Sequence, residues 1–145
     1  MTDVRQAARE SLDAFNSHDA ERIRDGYADR IIFEAPGDVR LTSPDEATEF
    51  AMSWLRAFPD AKITAQNELA AGDWFVYEFT FEGTHENPLV SPDGEIPATN
   101  KQLKGRGAQI MKFENGKIVE EHLYWDQVQL LTQLGLMPEA SAATA

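Results

Sequence analysis

The chain has 145 residues, and its 25 acidic and 13 basic side chains give a formal net charge of −12. This balance excludes nucleic acid and anionic membrane surfaces as partners, because both are bound through a surplus of Lys and Arg. The absence of cysteine excludes disulfides, thiolate nucleophiles and cysteine-ligated zinc. Beyond these exclusions, the acidic total favours solubility and does not identify a ligand.

The length predicts one domain over residues 1–138, followed by a flexible tail rich in Ala and Ser over residues 139–145. The N-terminus lacks the basic stretch and apolar run of a signal peptide. No apolar run approaches the roughly 18 residues that cross a bilayer. We therefore expect a cytoplasmic protein.

Helical patterns dominate the first part of the chain. Apolar residues recur at helical spacing over residues 4–17, and Asp19 is placed to cap a second, short helix. A strand pattern follows at residues 30–35. Ser43 and Glu46 form a capping box, which predicts the start of a third helix that ends before Pro59.

The second half is typical of an antiparallel sheet. Its strand patterns cover residues 62–71, 74–85, 103–113 and 117–125. The strand at 74–85 alternates strictly, with Phe75, Tyr77, Phe79 and Phe81 on one face. A proline-containing loop spans residues 86–100, and a last helix covers residues 126–134. This order predicts an α+β fold with helices on one face of a bent sheet.

The dipeptide Asn115-Gly116 predicts a two-residue hairpin turn, because both residues accept a positive φ. Glu114 then lies opposite Lys117, and counting back from this pair predicts the register. One face carries the pairs Phe113–Ile118, Met111–Glu120, Gln109–His122, Gly107–Tyr124 and Gly105–Asp126. The other face carries Arg106, Ala108, Ile110 and Lys112 with Val119, Glu121, Leu123 and Trp125.

The first face is the better candidate for a pocket. It holds several polar groups, and Gly105 and Gly107 leave space beside them, as glycines on a sheet often do where a ligand approaches. The alternatives are a core face with a few satisfied polar groups and an exposed polar face. The second face, centred on Leu123 and Trp125, is then left outside, which favours a homodimer through the outer sheet face.

Three local motifs resemble the SnoaL-like polyketide cyclases, also called the ester cyclase family, of the nuclear transport factor 2-like superfamily. The first is Phe15-Asn16-Ser17-His18-Asp19, and the second is Gly83-Thr84-His85 with its proline-containing loop. The third runs from Asn115 through Tyr124-Trp125-Asp126-Gln127 to Pro138. The resemblance implies a cone fold, with N-terminal helices packed on a curved, mostly antiparallel sheet.

The resemblance also implies a reaction, a cofactor-free intramolecular aldol condensation that closes a ring. The acid/base of the family is an aspartate near the end of a late strand, which corresponds to Asp126 here. Burial would raise the pKa of such a carboxyl and make it a useful base. The alternative role for Asp126 is a cap of the last helix, since it directly precedes that helix.

Other residues are candidates for helping roles. His122 lies on the predicted pocket face and is a second catalytic candidate, with a structural role as the alternative. His85 at the pocket rim, Gln109 and Tyr124 are candidates for hydrogen bonds to substrate. The alternative for His85 is a hydrogen bond that anchors the loop, and the alternative for Tyr124 is core packing. Trp54 and Phe79 are candidates for the walls of an apolar cavity that takes a ring-shaped ligand. The spacing of the three histidines fits no zinc signature, and no phosphate loop is present, so neither a metal nor a cofactor is expected.

The leading hypothesis is a cofactor-independent cyclase that acts on a small apolar carbonyl compound. An isomerase or epoxide-hydrolase-like enzyme on the same fold is one alternative. A module that binds a small molecule without converting it is the other.

Overall fold

The computed structural model describes residues 3–91 and 94–137. The described residues form four helices: α1 (Val4–Ser17), α2 (Ala20–Asp25), α3 (Pro44–Ala57) and α4 (Gln127–Gln133). They also form eight strands: β1 (Tyr27–Ala35), β2 (Val39–Leu41), β3 (Lys62–Ala71), β4 (Trp74–Thr84), β5 (Leu89–Ser91), β6 (Gly94–Ile96), β7 (Gln102–Glu114) and β8 (Lys117–Trp125). The predicted tail lies outside the described residues.

The helices begin where the sequence predicts capping residues. Asp19 accepts hydrogen bonds from the first turn of α2. The backbone N–H of Glu46 donates to Ser43 Oγ at 3.2 Å, and Glu46 Oε1 accepts from the N–H of Thr42 at 3.2 Å. These bonds satisfy amide groups that have no partner within the helix. The prediction of the three N-terminal helices is confirmed.

Six strands form one sheet in the order β2-β1-β8-β7-β4-β3. The pairs are antiparallel except for β1 and β8, which run parallel. Strands β5 and β6 form a separate small hairpin within the segment that the sequence predicts as a loop. Helices α1 and α2 precede this mostly antiparallel sheet, α3 lies between β2 and β3, and α4 follows β8. The predicted α+β class is confirmed.

The core lies between the helices and one face of the sheet. The alternating face of β4 is buried as predicted, and its four aromatic residues, Phe75, Tyr77, Phe79 and Phe81, are each at most 8% exposed. They pack in one cluster with Leu55 and Phe58 from the end of α3 and with small residues of α1. This aromatic face is the floor of the cone.

A β-bulge in β8 changes the predicted register. Glu114 pairs with Lys117 and Phe113 with Ile118, as the turn predicts, but Lys112 then pairs with Glu120. Val119 is the additional residue between these two pairs. A one-residue shift turns every later side chain of a strand to the opposite face of the sheet. The register predicted beyond Ile118 is therefore wrong.

The bulge exchanges the two faces of β8. Glu121, Leu123 and Trp125 point into the cone, while His122 and Tyr124 point outward. The physical reason is burial. Ile118 is 2% exposed and packs in the core, and Leu123 packs against the same core. Residues 118 and 123 are an odd number apart, so both can face inward only if the strand gains one residue.

The outer sheet face therefore differs from the predicted one. A row of paired residues crosses it from Val76 through Ile110 and His122 to Glu34. Tyr124 on the same face is 55% exposed. Leu123 and Trp125 do not belong to this surface. A homodimer through the outer face stays a prediction. In the part of the chain that the structure describes, no helix is both long enough and apolar enough to cross a membrane.

Deletion of Val119 tests the role of the bulge. The deletion leaves no spare residue between Ile118 and the rest of β8, so Leu123 and Trp125 would have to leave the core or Ile118 would. We expect a loss of several kcal/mol in the free energy of unfolding, because two or more large apolar side chains lose their burial. Urea unfolding followed by near-ultraviolet circular dichroism measures the loss.

The substitution Val119→Ala keeps the residue count and is the matched control. We expect it to cost about 1 kcal/mol or less. Equal stability of the deletion variant and the control would contradict the proposed role of the bulge.

Candidate active site

An apolar cavity of about 120 Å³ lies inside the cone, between the helices and the aromatic face of the sheet. We call it the cone cavity. A cavity of about 150 Å³ holds a benzene ring, so this one accommodates about one six-membered ring. Its helical walls are Ser11, Leu12, Phe15, Ile23, Ala47, Phe50, Ala51, Trp54 and Leu130, and its strand walls include Tyr27, Phe33, Phe79, Phe81, Gln109, Glu121, Leu123 and Trp125.

Glu121 is the one fully buried carboxyl group among the residues described on these walls. Its side chain is 5% exposed. Tyr27 donates its hydroxyl hydrogen to Glu121 Oε1 at 2.7 Å, and Gln109 Nε2 donates to Oε2 in a very short contact. Tyr77 in turn donates to Gln109 Oε1 at 2.5 Å. The hydrogen bonds therefore run in one direction, from Tyr77 through Gln109 to the Glu121 carboxylate, which also accepts from Tyr27.

The environment changes the acidity of Glu121. Burial raises the pKa of its carboxyl group to about 7, although the hydrogen bonds from Tyr27 and Gln109 act in the opposite direction. The two forms of the group are then both populated near neutral pH. A carboxyl group with this property can take a proton from a substrate and return it.

Asp126 stands at the end of β8 and also lines the cone cavity. Its Oδ1 accepts a hydrogen bond from the backbone N–H of Gln129 at 2.9 Å, which caps α4. Oδ2 has no hydrogen-bond partner among the described residues. The capping role expected as the alternative is therefore present, and one carboxylate oxygen remains for a substrate. Unlike Glu121, the Asp126 side chain is exposed.

Four of the residues selected from the sequence lie together on the cavity walls: Asp126, Gln109, Trp54 and Phe79. His122 does not. It lies on the outer face, where Nδ1 is 2.9 Å from Glu34 Oε1 and Nε2 is 3.2 Å from Glu120 Oε2. Tyr124 is likewise on the outer face, because the bulge at Val119 turns its side chain outward. Neither position agrees with the prediction that both residues line the pocket.

His85 is also displaced from its predicted place at the pocket rim. The side chain is 0% exposed and stacks on Phe58, with ring centroids 5.0 Å apart. Its Nδ1 lies 3.0 Å from Thr99 Oγ1, and its backbone N–H donates to Lys101 O at 2.9 Å. Burial lowers the pKa of the imidazole. In this position His85 anchors the segment between β4 and β7.

The two glycines of β7 have different roles. A Cβ on Gly107 would collide with the carbonyl oxygen of Tyr124 and lie 2.5 Å from Cζ of Phe79, so the ring of Phe79 already occupies the space. A Cβ on Gly105 would meet only Leu103, at 3.6 Å. Gly105 also lines the cone cavity. The expectation that missing side chains leave space for a ligand thus fits Gly105 and fails for Gly107.

Sequence reasoning missed Glu121, although the sequence carries a signal for it. Ile118 falls on the even positions of the strand, and Leu123 and Trp125 fall on the odd ones. Such a change of apolar phase within one strand is typical of a bulge. With the phase corrected, Glu121 is a lone acid on an otherwise apolar face. Within residues 3–91 and 94–137, no cluster of three or more His, Asp or Glu side chains is placed to hold a metal ion.

Comparison with known proteins agrees with this fold. The family model described as SnoaL-like polyketide cyclase matches residues 4–134. No curated protein matches the chain. The chain belongs to the SnoaL-like polyketide cyclase family, and its fold is the expected nuclear transport factor 2-like cone.

Solved structures share this fold. A candidate SnoaL-like polyketide cyclase of Jannaschia sp. CCS1 is 13% identical with a TM-score of 0.81, and the match covers 93% of each chain. IdmH of Streptomyces antibioticus, a candidate polyketide cyclase, is 23% identical with a TM-score of 0.77, over 92% of this chain and 99% of that one. An LEH-like epoxide hydrolase of M. tuberculosis is 14% identical with a TM-score of 0.69, over 90% and 88% of the two chains. At these identities the likeness shows a common fold.

Alanine substitutions at the two glycines test their assignment. We expect Gly107→Ala to lower the free energy of unfolding by about 3 kcal/mol, because Phe79 or the backbone of β8 must move. We expect Gly105→Ala to change it by less than about 0.5 kcal/mol, because the methyl group makes ordinary contacts. Chemical denaturation of both variants measures the difference, and equal losses would contradict the assignment.

The raised pKa of Glu121 predicts a pH dependence of stability. The ordinary value is 4.5 and the folded value about 7, so the folded protein binds more protons than the unfolded chain between these values. Protonation of Glu121 therefore stabilises the folded state, and this contribution of about 3 kcal/mol is fully present below about pH 4.5. It is lost as the pH rises from 4.5 through 7.

The substitution Glu121→Gln should remove this dependence. The difference in free energy of unfolding between wild type and E121Q is expected to change by about 3 kcal/mol between pH 4.5 and pH 8, with the variant relatively more stable at the higher pH. Urea titrations at several pH values give the difference. A constant difference across this range would show that Glu121 has an ordinary pKa.

Proposed function

We propose that this protein is a cofactor-independent acid/base enzyme that closes a ring in a small apolar carbonyl compound by an aldol-type reaction. The observation that carries the proposal is Glu121: a buried carboxyl group with a pKa of about 7, held by Tyr27 and Gln109 on the wall of an apolar cavity. Family membership supports an enzyme of the cyclase or isomerase type.

The proposed reaction begins with a proton transfer. The Glu121 carboxylate takes a proton from the carbon next to one carbonyl group of the substrate. The enolate carbon then forms a bond with the carbon of a second carbonyl group, whose oxygen becomes an alkoxide. The carboxylic acid of Glu121 returns the proton to this oxygen, so the residue ends the cycle as a carboxylate. The product is a cyclic hydroxyketone with the same atoms as the substrate.

Two further features support this chemistry. The cavity walls are apolar, and a low-dielectric environment strengthens the hydrogen bonds that stabilise the developing oxygen charge. Tyr27 lines the cavity beside Glu121 and is held protonated, because burial and the nearby Glu121 charge raise the pKa of its hydroxyl well above the usual value. Asp126 in the proposed mechanism binds a polar group of the substrate through Oδ2 at the cavity mouth.

The compound 2,6-heptanedione is a suitable probe, because its ring closure produces one six-membered ring. We expect the wild type to accelerate this closure and the exchange of its α-hydrogens for deuterium. Glu121→Gln should lower kcat by about 10²–10⁴-fold, the usual contribution of a positioned base. Asp126→Asn should lower kcat/KM by less than about tenfold, because the Asn oxygen still caps α4 and only the acceptor at Oδ2, which becomes an N–H₂ donor, is lost. Mass spectrometry and NMR follow both reactions.

The same pair of variants distinguishes the two carboxyl groups. A loss in D126N as large as that in E121Q would assign the acid/base role to Asp126, as the family resemblance implies. Wild-type rates in E121Q would contradict the proposal. If the probe binds but is returned unchanged and unexchanged, the alternative of a binding module is favoured.

The epoxide-hydrolase alternative receives less support from the site. Such an enzyme uses a second carboxylate and an arginine beside the first. Asp126 and Arg106 do line the same cavity as Glu121, but the hydrogen-bond partners of Glu121 are Tyr27 and Gln109. Arg106 is exposed, and its backbone N–H donates to Gln129 at 3.0 Å. Formation of a diol from cyclohexene oxide by the wild type, lost in E121Q, would favour this alternative.

A further inference from the structure

Tyr77 is connected to Glu121 through one intervening residue, Gln109, in the buried hydrogen-bond chain. Its hydroxyl donates to Gln109 Oε1, and Gln109 Nε2 donates to Glu121. Tyr77, Gln109 and Glu121 are 4%, 8% and 5% exposed. In the described part of the chain, Gln109 is the one hydrogen-bond partner of the Tyr77 hydroxyl. Tyr77 can therefore act on Glu121 through the amide of Gln109.

The Gln109 amide has two possible orientations, related by a half-turn of its plane. In the observed orientation the N–H₂ group faces Glu121 and the carbonyl oxygen faces Tyr77. In the reversed orientation the carbonyl oxygen would face the carboxylate, which is repulsive unless Glu121 is protonated. The hydroxyl hydrogen of Tyr77 would then lose its acceptor, and an unpaired buried donor costs free energy.

We propose that Tyr77 is a positioning residue that locks the Gln109 amide with its N–H₂ group toward Glu121. Glu121 then accepts two hydrogen bonds, from Gln109 and Tyr27, and its carboxylate form is ready to take a proton from a substrate. The inference rests on the proposed function, since it treats Glu121 as the base. It adds a residue that acts on this base without touching it.

The surroundings of Glu121 contain few other groups that could set its charge. Tyr27 faces Glu121 from β1, and Tyr77 lies behind Gln109 on β4. His122 lies on the outer face of β8, where it is paired with Glu34 and Glu120. Asp126 and Arg106 lie at the mouth of the cavity. The walls contributed by α1, α2 and α3 are uncharged.

Two observations make the lock effective. Tyr77 remains a donor across the ordinary pH range, because burial and the charge of Glu121 raise the pKa of its hydroxyl. Strands β4 and β7 pair Tyr77 directly with Gln109, and both side chains stand on the same face of the sheet. The hydroxyl is thus held against the amide by the backbone register.

The test is Tyr77→Phe, which removes one hydroxyl and keeps the ring in the core. Without the hydroxyl, the reversed amide orientation no longer leaves a buried donor unpaired. This orientation therefore gains population when Glu121 is protonated, and it stabilises the protonated form. We expect the midpoint of the Glu121 titration to rise by about one pH unit. The titration is measured by ¹³C NMR of protein labelled at the glutamate carboxyl carbons, with E121Q used to assign the signal.

The pH profile of ring closure is a second readout. In Y77F the rate should reach its plateau at a pH about one unit higher than in the wild type. The rate at the plateau should stay within about threefold of the wild-type rate, because the ionised base is intact. Tyr124→Phe removes the same atom from the exposed outer face and is the matched control. It should change neither the titration nor the profile.

A double-mutant cycle tests the route through Gln109. In a Gln109→Leu background, the further change Tyr77→Phe should leave the Glu121 midpoint where it is. An unchanged midpoint in Y77F alone, or an equal shift with and without Gln109, would overturn the inference. A lowered plateau with an unchanged midpoint would overturn it as well.

The NMR titration needs no substrate, so the two proposals can fail separately. A raised midpoint in Y77F, with no ring closure by the wild type, would overturn the proposed function and support the positioning role of Tyr77. Ring closure that depends on Glu121, with no midpoint shift in Y77F, would support the function and overturn the positioning role.

Discussion

The arrangement of the site depends on one additional residue in β8. Ile118 and Leu123 must both be buried on the same side of the sheet, although their separation in sequence places them on opposite sides of a regular strand. Val119 absorbs the difference as a bulge, and the parallel pairing with β1 is interrupted at the same level. Every residue after the bulge takes its orientation from this constraint, including Glu121 in the cavity and His122 outside it.

A carboxyl group at the position of Glu121 is costly for the fold. Its burial raises the pKa, and the ionised form is held in an apolar cavity by two hydrogen bonds, from Tyr27 and Gln109. An apolar residue of similar volume would avoid this cost. A buried carboxyl that lowers stability above neutral pH and lines a cavity is typical of a catalytic group, because strained or destabilising features concentrate at functional sites.

Much of the architecture is predictable from local patterns. The caps at Asp19 and Ser43, the alternating face of β4 and the turn at Asn115 are properties of a few neighbouring residues, and the structure confirms them. The hairpin register predicted from the turn is wrong after Ile118. Beyond that residue the pairing of the two strands is set by the packing of apolar side chains and no longer by the geometry of the turn. The same error placed His122 and Tyr124 in the pocket. The hydrogen-bond chain from Tyr77 to Glu121 joins β4, β7 and β8, and no single pattern contains it.

The sequence by itself determined the class of fold and the order of the main elements, though not the short strands β2, β5 and β6, since caps, turns and apolar periods act over short distances. The family followed from the resemblance of three local motifs. The sequence also placed Asp126, Gln109, Trp54 and Phe79 in one region, and these residues do line the cavity. Only the tertiary structure decided which face of β8 points inward, because that choice follows from the simultaneous burial of residues on both sides of the bulge. The identity of the buried carboxyl, Glu121, is a consequence of that packing.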